Sequence, residues 1–143
     1  MTDDNCLFCR IVSGEVPATV VYVDPNAIAF LDHRPLFHGH TLLVSRDHVE
    51  TLVDLPSKLV GPLFTAAQSL ANAVQHAMDA EGTFVAMNNR VSQSVPHLHV
   101  HIVPRRKKDG LKGFFWPRTK YTDEKEMKAV GKKIAGSLQE LSR

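Results

Sequence analysis

The segment that most restricts the possible folds of this chain is a run in which polar and apolar side chains alternate. It reads His97-Leu98-His99-Val100-His101-Ile102-Val103. Side chains of a β-strand point alternately to the two faces of a sheet, so the three histidines would share one face and the apolar residues would pack on the other. Three histidines in this arrangement gather groups that titrate near neutral pH. The pattern predicts a strand that carries a chemical site. A half-exposed strand with incidental histidines and a metal site made from all three are the alternatives.

The rest of the pattern predicts further strands and two helices. Strands are expected at residues 20–23, 27–31, 41–44, 83–87 and 97–103, the last closed by Pro104. Apolar residues recur at helical spacing, which predicts one long amphipathic helix. The stripe consists of Leu63, Phe64, Ala67, Leu70, Ala71, Val74 and Met78. We expect Pro62 in the first turn of this helix, Gly82 at its end, and a C-terminal helix over residues 125–141. These elements predict an α+β fold with a mostly antiparallel sheet of about five strands.

Composition narrows the class of protein. The 143 residues suit one domain, and the 43% of apolar residues suffice for a folded core. A net charge of +2 argues against a protein built mainly to hold nucleic acid. Apolar runs are short, so no membrane segment is expected. The start, Met1-Thr2-Asp3-Asp4, is acidic and unlike a secretory signal, so we expect a cytoplasmic location.

The two cysteines, Cys6 and Cys9, are separated by two residues. In a reducing compartment such a pair is more often a metal site or a redox pair than a structural disulfide. A redox dithiol usually precedes a helix in a thioredoxin-like setting, which this sequence does not show. Two thiolates supply half of the ligands of a closed zinc site. Two thiols without a metal, or a site emptied by oxidation, are the alternatives.

Several motifs, taken in order, resemble the histidine triad (HIT) superfamily of nucleotide hydrolases and transferases. His-x-His-x-His followed by two apolar residues is the signature of that family. Further motifs similar to the family are Cys6-Leu7-Phe8-Cys9-Arg10-Ile11, Gly14-Glu15-Val16-Pro17, Ala29-Phe30-Leu31-Asp32, Gly39-His40-Thr41-Leu42-Leu43-Val44 and Gln93-Ser94-Val95. Together with the histidine triad, these motifs span residues 6 to 105. The cysteine motif and Gln93-Ser94-Val95 resemble the Hint branch. The resemblance implies a single HIT domain over residues 1–143, with a C-terminal extension from about residue 105.

The resemblance implies catalytic roles for four residues. His99 would be the nucleophile that attacks the α-phosphorus of a nucleotide and forms a nucleotidyl-histidine, which water then hydrolyses. His101 would contact the phosphate oxygens and stabilise developing charge. His40 would lie beside the triad and orient it, and Ser94 would donate to a phosphate oxygen or the leaving group. A structural histidine and a loop hydroxyl bonded to its own backbone are the alternative readings for His40 and Ser94.

The same resemblance implies a set of substrate contacts. They are Asp32, Phe30, Ile28, Asn88, Gln93 and His101. Asp32 would accept hydrogen bonds from ribose hydroxyls, unless it is a turn residue, while Phe30 and Ile28 would wall the base pocket. Asn88 would contact phosphate. The stretch 88–93 departs from the family, since it is about two residues shorter and lacks the glycines that allow a positive φ.

For the metal, the resemblance implies a structural zinc ion. Its ligands would be Cys6, Cys9, His48 and His97. Four protein ligands leave no open position, so the ion would be structural and no Lewis acid in the reaction. His33, His38 and His76 receive no role, and His76 is expected on the surface of the long helix.

The resemblance favours a homodimeric nucleotidyl hydrolase of AMP phosphoramidates or similar purine nucleotide conjugates. A dinucleoside polyphosphate hydrolase is the first alternative, and a nucleotide-binding sensor or scaffold with little turnover is the second. A fourth reading, a nucleic-acid binder, rests only on the basic and aromatic stretch 105–121. The alternative interpretation of that stretch is a solvated loop whose aromatic residues anchor it to the body of the protein. In Hint-like dimers a C-terminal segment reaches the partner's active site, a role open to Trp116.

Overall fold

The computed structural model describes residues 3–111 and 118–141. The chain divides into two compact units, with the boundary between Asp109 and Gly110. The first unit contains all the residues to which the sequence assigns catalytic, substrate or metal roles. Trp116, together with Phe114 and Phe115, lies outside the described residues, so its partner-site role stays a prediction. The single domain expected over residues 1–143 also stays a prediction.

The first unit is built around one sheet. Its elements are α1 (Leu7–Val12), β1 (Val20–Val23), β2 (Ala27–Leu31), β3 (Thr41–Ser45), α2 (Ser57–Ala77), β4 (Gly82–Ala86) and β5 (His99–Arg105). A single 3-10 turn, Leu52–Asp54, precedes α2, and the second unit contains α3, Glu124–Leu141. The strands are ordered β1-β2-β3-β5-β4, and every neighbouring pair is antiparallel. The predicted α+β class is therefore confirmed. Within the described ranges, no helix is long and apolar enough to cross a membrane.

The histidine strand is shifted by two residues from its predicted bounds. It begins at His99, which pairs with Val44 of β3, and it runs past Pro104 to Arg105. His97 precedes the strand because its peptide N–H donates to the carbonyl of Val95 at 2.8 Å. Pro104 is tolerated inside the strand because β3 pairing ends at Ile102, which leaves β4 as the only paired neighbour at that position. A proline cannot donate to a second ladder.

The long helix is also displaced relative to the prediction. Helix α2 begins at Ser57, so Pro62 lies inside it, and it ends at Ala77, while Gly82 starts β4. A proline this far into a helix removes one main-chain hydrogen bond. The extension is stabilised by Leu59 and Val60, which pack against the core. The predicted stripe is otherwise confirmed, except that Phe64 is exposed.

The two faces of the sheet carry different clusters. One face packs against α2, and its buried residues include Leu43, Leu98, Val100, Ile102, Leu63, Ala67 and Leu70. The other face packs against α1, and its buried residues are Cys6, Phe8, Cys9, Ile28, Phe30, Leu42 and Val44. The side chains of residues 98, 100 and 102 therefore lie opposite the imidazoles, as the alternation predicts. Helix α1 was not predicted, because its six residues are too few to show a helical period.

A close approach positions the start of β3. Gly39 has a φ of +100°, and a Cβ added there would lie 2.6 Å from the Cγ atom of Met78. Only glycine combines this dihedral with so little space. The next residue is His40, so the turn that admits Gly39 also sets where the His40 ring enters the site.

Candidate functional site

One ring nitrogen of His99 is hydrogen-bonded to the main chain. Its Nδ1 atom lies 2.7 Å from the carbonyl oxygen of His97, and because a carbonyl only accepts, Nδ1 must carry the proton. The lone pair of the neutral ring then resides on Nε2. Burial lowers the pKa of His99, so the ring is neutral at pH 7. The arrangement fixes the tautomer of His99 and leaves the lone pair of the neutral ring on Nε2.

His40 and His101 form a directed pair beside this ring. The amide of Leu36 donates to His40 Nδ1 at 3.1 Å, so His40 must carry its proton on Nε2. That nitrogen lies 3.0 Å from His101 Nδ1, which therefore accepts. A neutral His101 then presents an Nε2–H donor, and burial lowers its pKa to about 4, with the neighbouring His99 and His40 adding to the effect. Burial also lowers the pKa of His40.

Asp32 completes this group from the end of β2. Its Oδ2 atom lies 3.8 Å from His40 Nε2, and its Oδ1 accepts from the amide of Arg34. The ligand atoms of Asp32, His40 and His101 lie close enough to hold a metal ion. However, Nε2 of His40 already carries a proton, because the Leu36 amide occupies Nδ1. Coordination would require an imidazolate, so we interpret the group as a hydrogen-bonded relay.

A cavity of about 750 Å³ lies where α1 meets the end of β2. Its walls are Leu7, Ile11, Val16, Pro17, Ala18, Thr19, Phe30, Leu31, Asp32 and His33. Phe30 and Asp32 are among these walls, and their substrate roles stay predictions. Ile28 does not line the cavity, since it is buried in the cluster beneath α1. The aliphatic walls from α1 and residues 16–19 were missed by the sequence reading, although Val16 and Pro17 belong to one of the matched motifs.

The loop 88–93 is held by its own side chains. The Asn88 amide donates to the carbonyl of Ser92, while Gln93 accepts from the Arg90 amide and donates to the carbonyl of Glu50. Arg90 and Ser92 adopt φ values of 73° and 60°, so the loop takes positive φ without glycine. Asn88 and Gln93 are thus engaged in loop structure, and their substrate contacts stay predictions.

Ser94 is exposed and lines a second cavity, of about 570 Å³. The other lining residues are Asp3, Asn5, Cys6, Leu7, His48, Glu50, Val95 and Pro96. This cavity borders the cysteine group, whereas Asp32 and Phe30 line the larger one. The role of Ser94 toward phosphate or the leaving group therefore stays a prediction. His76 is exposed on α2, as expected.

Cys6, Cys9, His48 and His97 come together as predicted. Their ligand atoms all lie within 4.8 Å of one another. His97 Nδ1 is 3.3 Å from Cys6 Sγ and 3.6 Å from Cys9 Sγ, and His48 Nδ1 is 3.4 Å from Cys9 Sγ. In a tetrahedral zinc site, bond lengths near 2.0 and 2.3 Å place nitrogen and sulfur roughly 3.6 Å apart. The group therefore fits a tetrahedral metal ion.

The protonation of His97 suits a ligand. Its Nε2 atom lies 2.6 Å from the carbonyl oxygen of Ser45, so Nε2 donates and the lone pair of Nδ1 faces the two sulfurs. Burial lowers the pKa of His97 to about 4, which keeps the ring neutral. A main-chain carbonyl that fixes the tautomer of a ligating histidine is the usual outer-shell arrangement of metal sites.

One further residue contacts several of these groups. Phe8 is buried, and its ring centroid lies 5.0 Å from that of His99, 5.9 Å from His97 and 5.5 Å from Phe30. The sequence placed Phe8 only as part of a matched motif. No local signal distinguishes it, because its contacts are with residues distant in sequence.

Comparisons with known proteins agree with this geometry. The family model of the HIT domain matches residues 13–108. Adenosine 5'-monophosphoramidase hnt1 of Schizosaccharomyces pombe is 30% identical over 137 residues, covering 94% of this chain and 99% of hnt1. Adenylylsulfatase HINT3 of Arabidopsis thaliana is 33% identical over 110 residues, covering 76% of this chain and 56% of HINT3.

A solved structure is similar as well. The crystal structure of a Zn-bound histidine triad family protein from Mycobacterium smegmatis superposes with a TM-score of 0.71 at 38% identity, covering 80% of this chain and 84% of that one. The domain match covers well over half of the chain, and hnt1 is matched almost end to end. This chain therefore belongs to the HIT family.

Proposed function

We propose that this protein is a nucleotidyl hydrolase that cleaves AMP phosphoramidates through a covalent intermediate on His99. Membership of the HIT family and the two hydrolase relatives support a nucleotide hydrolase. The observation that carries the finer proposal is the 2.7 Å contact between His99 Nδ1 and the carbonyl of His97. It leaves the Nε2 lone pair of a neutral ring directed away from the backbone and available for attack.

In the first step, the Nε2 lone pair of His99 attacks the α-phosphorus. A bond forms between Nε2 and phosphorus, and the bond from phosphorus to the amine nitrogen breaks. The leaving nitrogen keeps the bonding electron pair and takes up a proton from water. Throughout, Nδ1–H of His99 remains bonded to the carbonyl of His97, so positive charge on the ring is stabilised by that dipole.

In the second step, water attacks the phosphorus of nucleotidyl-His99. The bond from phosphorus to Nε2 breaks, its electron pair returns to Nε2, and the water proton passes to solvent. The products are AMP and the regenerated imidazole. His101 supports both steps, because its Nε2–H is the donor that the relay from His40 leaves free for a phosphate oxygen.

The nucleoside part of the substrate fits the larger cavity. Asp32 offers a carboxylate for ribose hydroxyls, and Phe30 and the aliphatic walls suit a base. The names of the two relatives describe the removal of different groups, an amine and a sulfate, from an adenylyl phosphate. We therefore propose adenylyl recognition, with an amine as the leaving group.

We also propose that the group of Cys6, Cys9, His48 and His97 holds a structural zinc ion. When bound, zinc would link the first turn of α1 to His97, two residues before β5, and it would supply no step of the reaction. The Zn-bound neighbour from Mycobacterium smegmatis supports this proposal.

The test of the proposed function is a labelling experiment. Adenosine phosphoramidate with a radiolabelled phosphate is mixed with enzyme and quenched in alkali within the first turnover. We expect label on the protein, in the peptide that contains residues 97–101. His99→Asn should remove the label and lower turnover by several orders of magnitude, at about 1.4 kcal/mol for each factor of ten, while AMP binding is retained.

His76→Asn is the matched control, since His76 is exposed on α2. It should label and turn over like the wild type. Near wild-type turnover by folded His99→Asn would end this proposal, as would hydrolysis without any labelled protein.

A further inference from the structure

Phe8 lies between His99, the proposed zinc-binding group and the wall of the larger cavity, which we call the nucleoside cavity. It is 4% exposed. Its ring stands nearly perpendicular to that of His99, with an interplanar angle of 85° at a centroid distance of 5.0 Å. It also makes edge contacts with His97 and Phe30. None of these contacts involves a polar atom of Phe8, so its contribution must come from shape.

The His99 ring needs such a contact. The hydrogen bond from Nδ1 to the carbonyl of His97 holds one atom of the imidazole in place, but the ring can still rotate about that atom. Phe8 packs against the ring at 5.0 Å, and His101 also lies 5.0 Å from it, at an angle of 65°. These two neighbours limit the rotation that would carry Nε2 away from the line of attack.

We infer that Phe8 is a positioning residue for His99, which holds the imidazole plane so that Nε2 points at the α-phosphorus. This inference rests on the proposed nucleophilic role of His99. A misplacement of reacting atoms by about 1 Å can cost up to 100-fold in rate, whereas affinity for the nucleotide depends on other contacts. Phe8 therefore acts on the rate of nucleotidylation more than on binding.

The backbone of Phe8 is fixed from both sides. Cys6 is the N-cap residue of α1, and its Sγ accepts from the Cys9 amide at 3.4 Å. Leu7 and Ile11 of the same helix line the nucleoside cavity. Helix α1 thus brings the metal-binding group, the cavity wall and the positioning ring together in one short segment.

The experiment compares Phe8→Leu and Phe8→Met with the wild type. Both substitutions remove the ring but fill much of its volume, so that at least one folded variant is expected. The first measurement is the single-turnover rate of His99 labelling at saturating adenosine phosphoramidate. We expect this rate to fall by about tenfold, while the Kd of AMP stays within about twofold and bound zinc per chain is unchanged.

One matched control separates positioning from a general loss of structure. Phe64→Leu changes an exposed phenylalanine of α2 and should leave both the labelling rate and the Kd of AMP unchanged.

The second measurement is spectroscopic and needs no turnover. Two-bond nitrogen–proton NMR correlations report which ring nitrogen of His99 carries the proton. The wild type should show the Nδ1–H form alone, and the Phe8 variants should show averaging between the two forms. A labelling rate equal to that of the wild type, an unchanged His99 signal, or a parallel loss of rate and AMP affinity would each overturn the inference. If His99→Asn still turns over, the proposed function fails instead.

Discussion

At His99, His97 and His40, a main-chain group fixes which ring nitrogen carries the proton. Two carbonyls accept from His99 Nδ1 and His97 Nε2, and one amide donates to His40 Nδ1. In His99 and His97 the other ring nitrogen therefore keeps a lone pair, and in His40 it carries the proton. Because main-chain groups do not titrate, these tautomers hold across the pH range in which the imidazoles are neutral.

The lowered pKa of His101 predicts a loss of stability on acidification. The pKa of His101 is about 4 in the folded protein, against 6.5 for a histidine in the unfolded chain. Between these values the unfolded chain binds the proton and the folded chain does not, so the free energy of unfolding falls as pH falls from about 6.5 to 4. His99 and His40 add to the lowering of the His101 pKa, whereas the negative charge of Asp32 opposes it.

His101→Asn should therefore show a shallower decline. Between pH 7 and pH 5, we expect its free energy of unfolding to change less than that of the wild type, by on the order of 1 kcal/mol after allowance for partial exposure. Denaturant titrations at the two pH values measure this. Any release of metal is common to both proteins, so equal declines would contradict the prediction.

The loop 88–93 supports a second prediction, which concerns Ser92. Ser92 has a φ of 60°, a conformation that costs an L-residue roughly 1–2 kcal/mol. Ser92→Gly should raise the free energy of unfolding by about 0.5–1 kcal/mol, since the greater freedom of glycine in the unfolded chain offsets part of the gain. Ser92→Ala is the matched control and should bring no gain. A destabilised Ser92→Gly would show that this φ is not a source of strain.

Among the elements, α1 lies close to the start of β5 at the group of Cys6, Cys9, His48 and His97. Cys9 belongs to α1, and its Sγ lies 3.6 Å from Nδ1 of His97, two residues before the start of β5. Burial raises the pKa of the Cys9 thiol, a cost that a bound dication offsets by stabilising the thiolate.

This arrangement predicts that Cys9→Ser lowers thermal stability more than it lowers activity per folded molecule. The wild type, prepared without chelator, should carry about one zinc per chain, and the variant much less. Metal analysis and thermal unfolding give the first two values, and activity normalised to folded protein gives the third. Less than about a tenth of an equivalent of zinc in reduced wild-type protein would remove the zinc proposal.

At the scale of the whole molecule, the sheet of the first unit ends in two edge strands, β1 and β4. Val20, Val21 and Val23 on β1 and Val85 on β4 are exposed. Unpaired edges with apolar side chains invite pairing with another chain, and the HIT resemblance implies a dimer.

We therefore predict a homodimer in solution. Light scattering at micromolar concentration should give a mass near twice the 15.9 kDa of one chain. A mass near that of one chain would count against the dimer, and with it against a role for Trp116 at the active site of a partner.

The sequence by itself determined the features that repeat over short distances. A period of two residues placed Leu98, Val100 and Ile102 under α2 and the histidines on the other face. The stripe of α2 follows from its helical period in the same way. The resemblance to the HIT family implied that Cys6, Cys9, His48 and His97 form one group, and the structure brings their ligand atoms within 4.8 Å of one another.

Only the tertiary structure decided which atoms face one another. Helix α1 is too short for a recognisable period, and its Phe8 contacts His99 across 91 residues of sequence. Ile28 was expected in the cavity wall, but α1 covers it, and Leu7 and Ile11 line the cavity instead. The tautomers of His97 and His40 depend on Ser45 and Leu36. Such contacts arise from how the strands and helices pack. The local side-chain pattern that defines each element does not specify which residues of other elements it will contact.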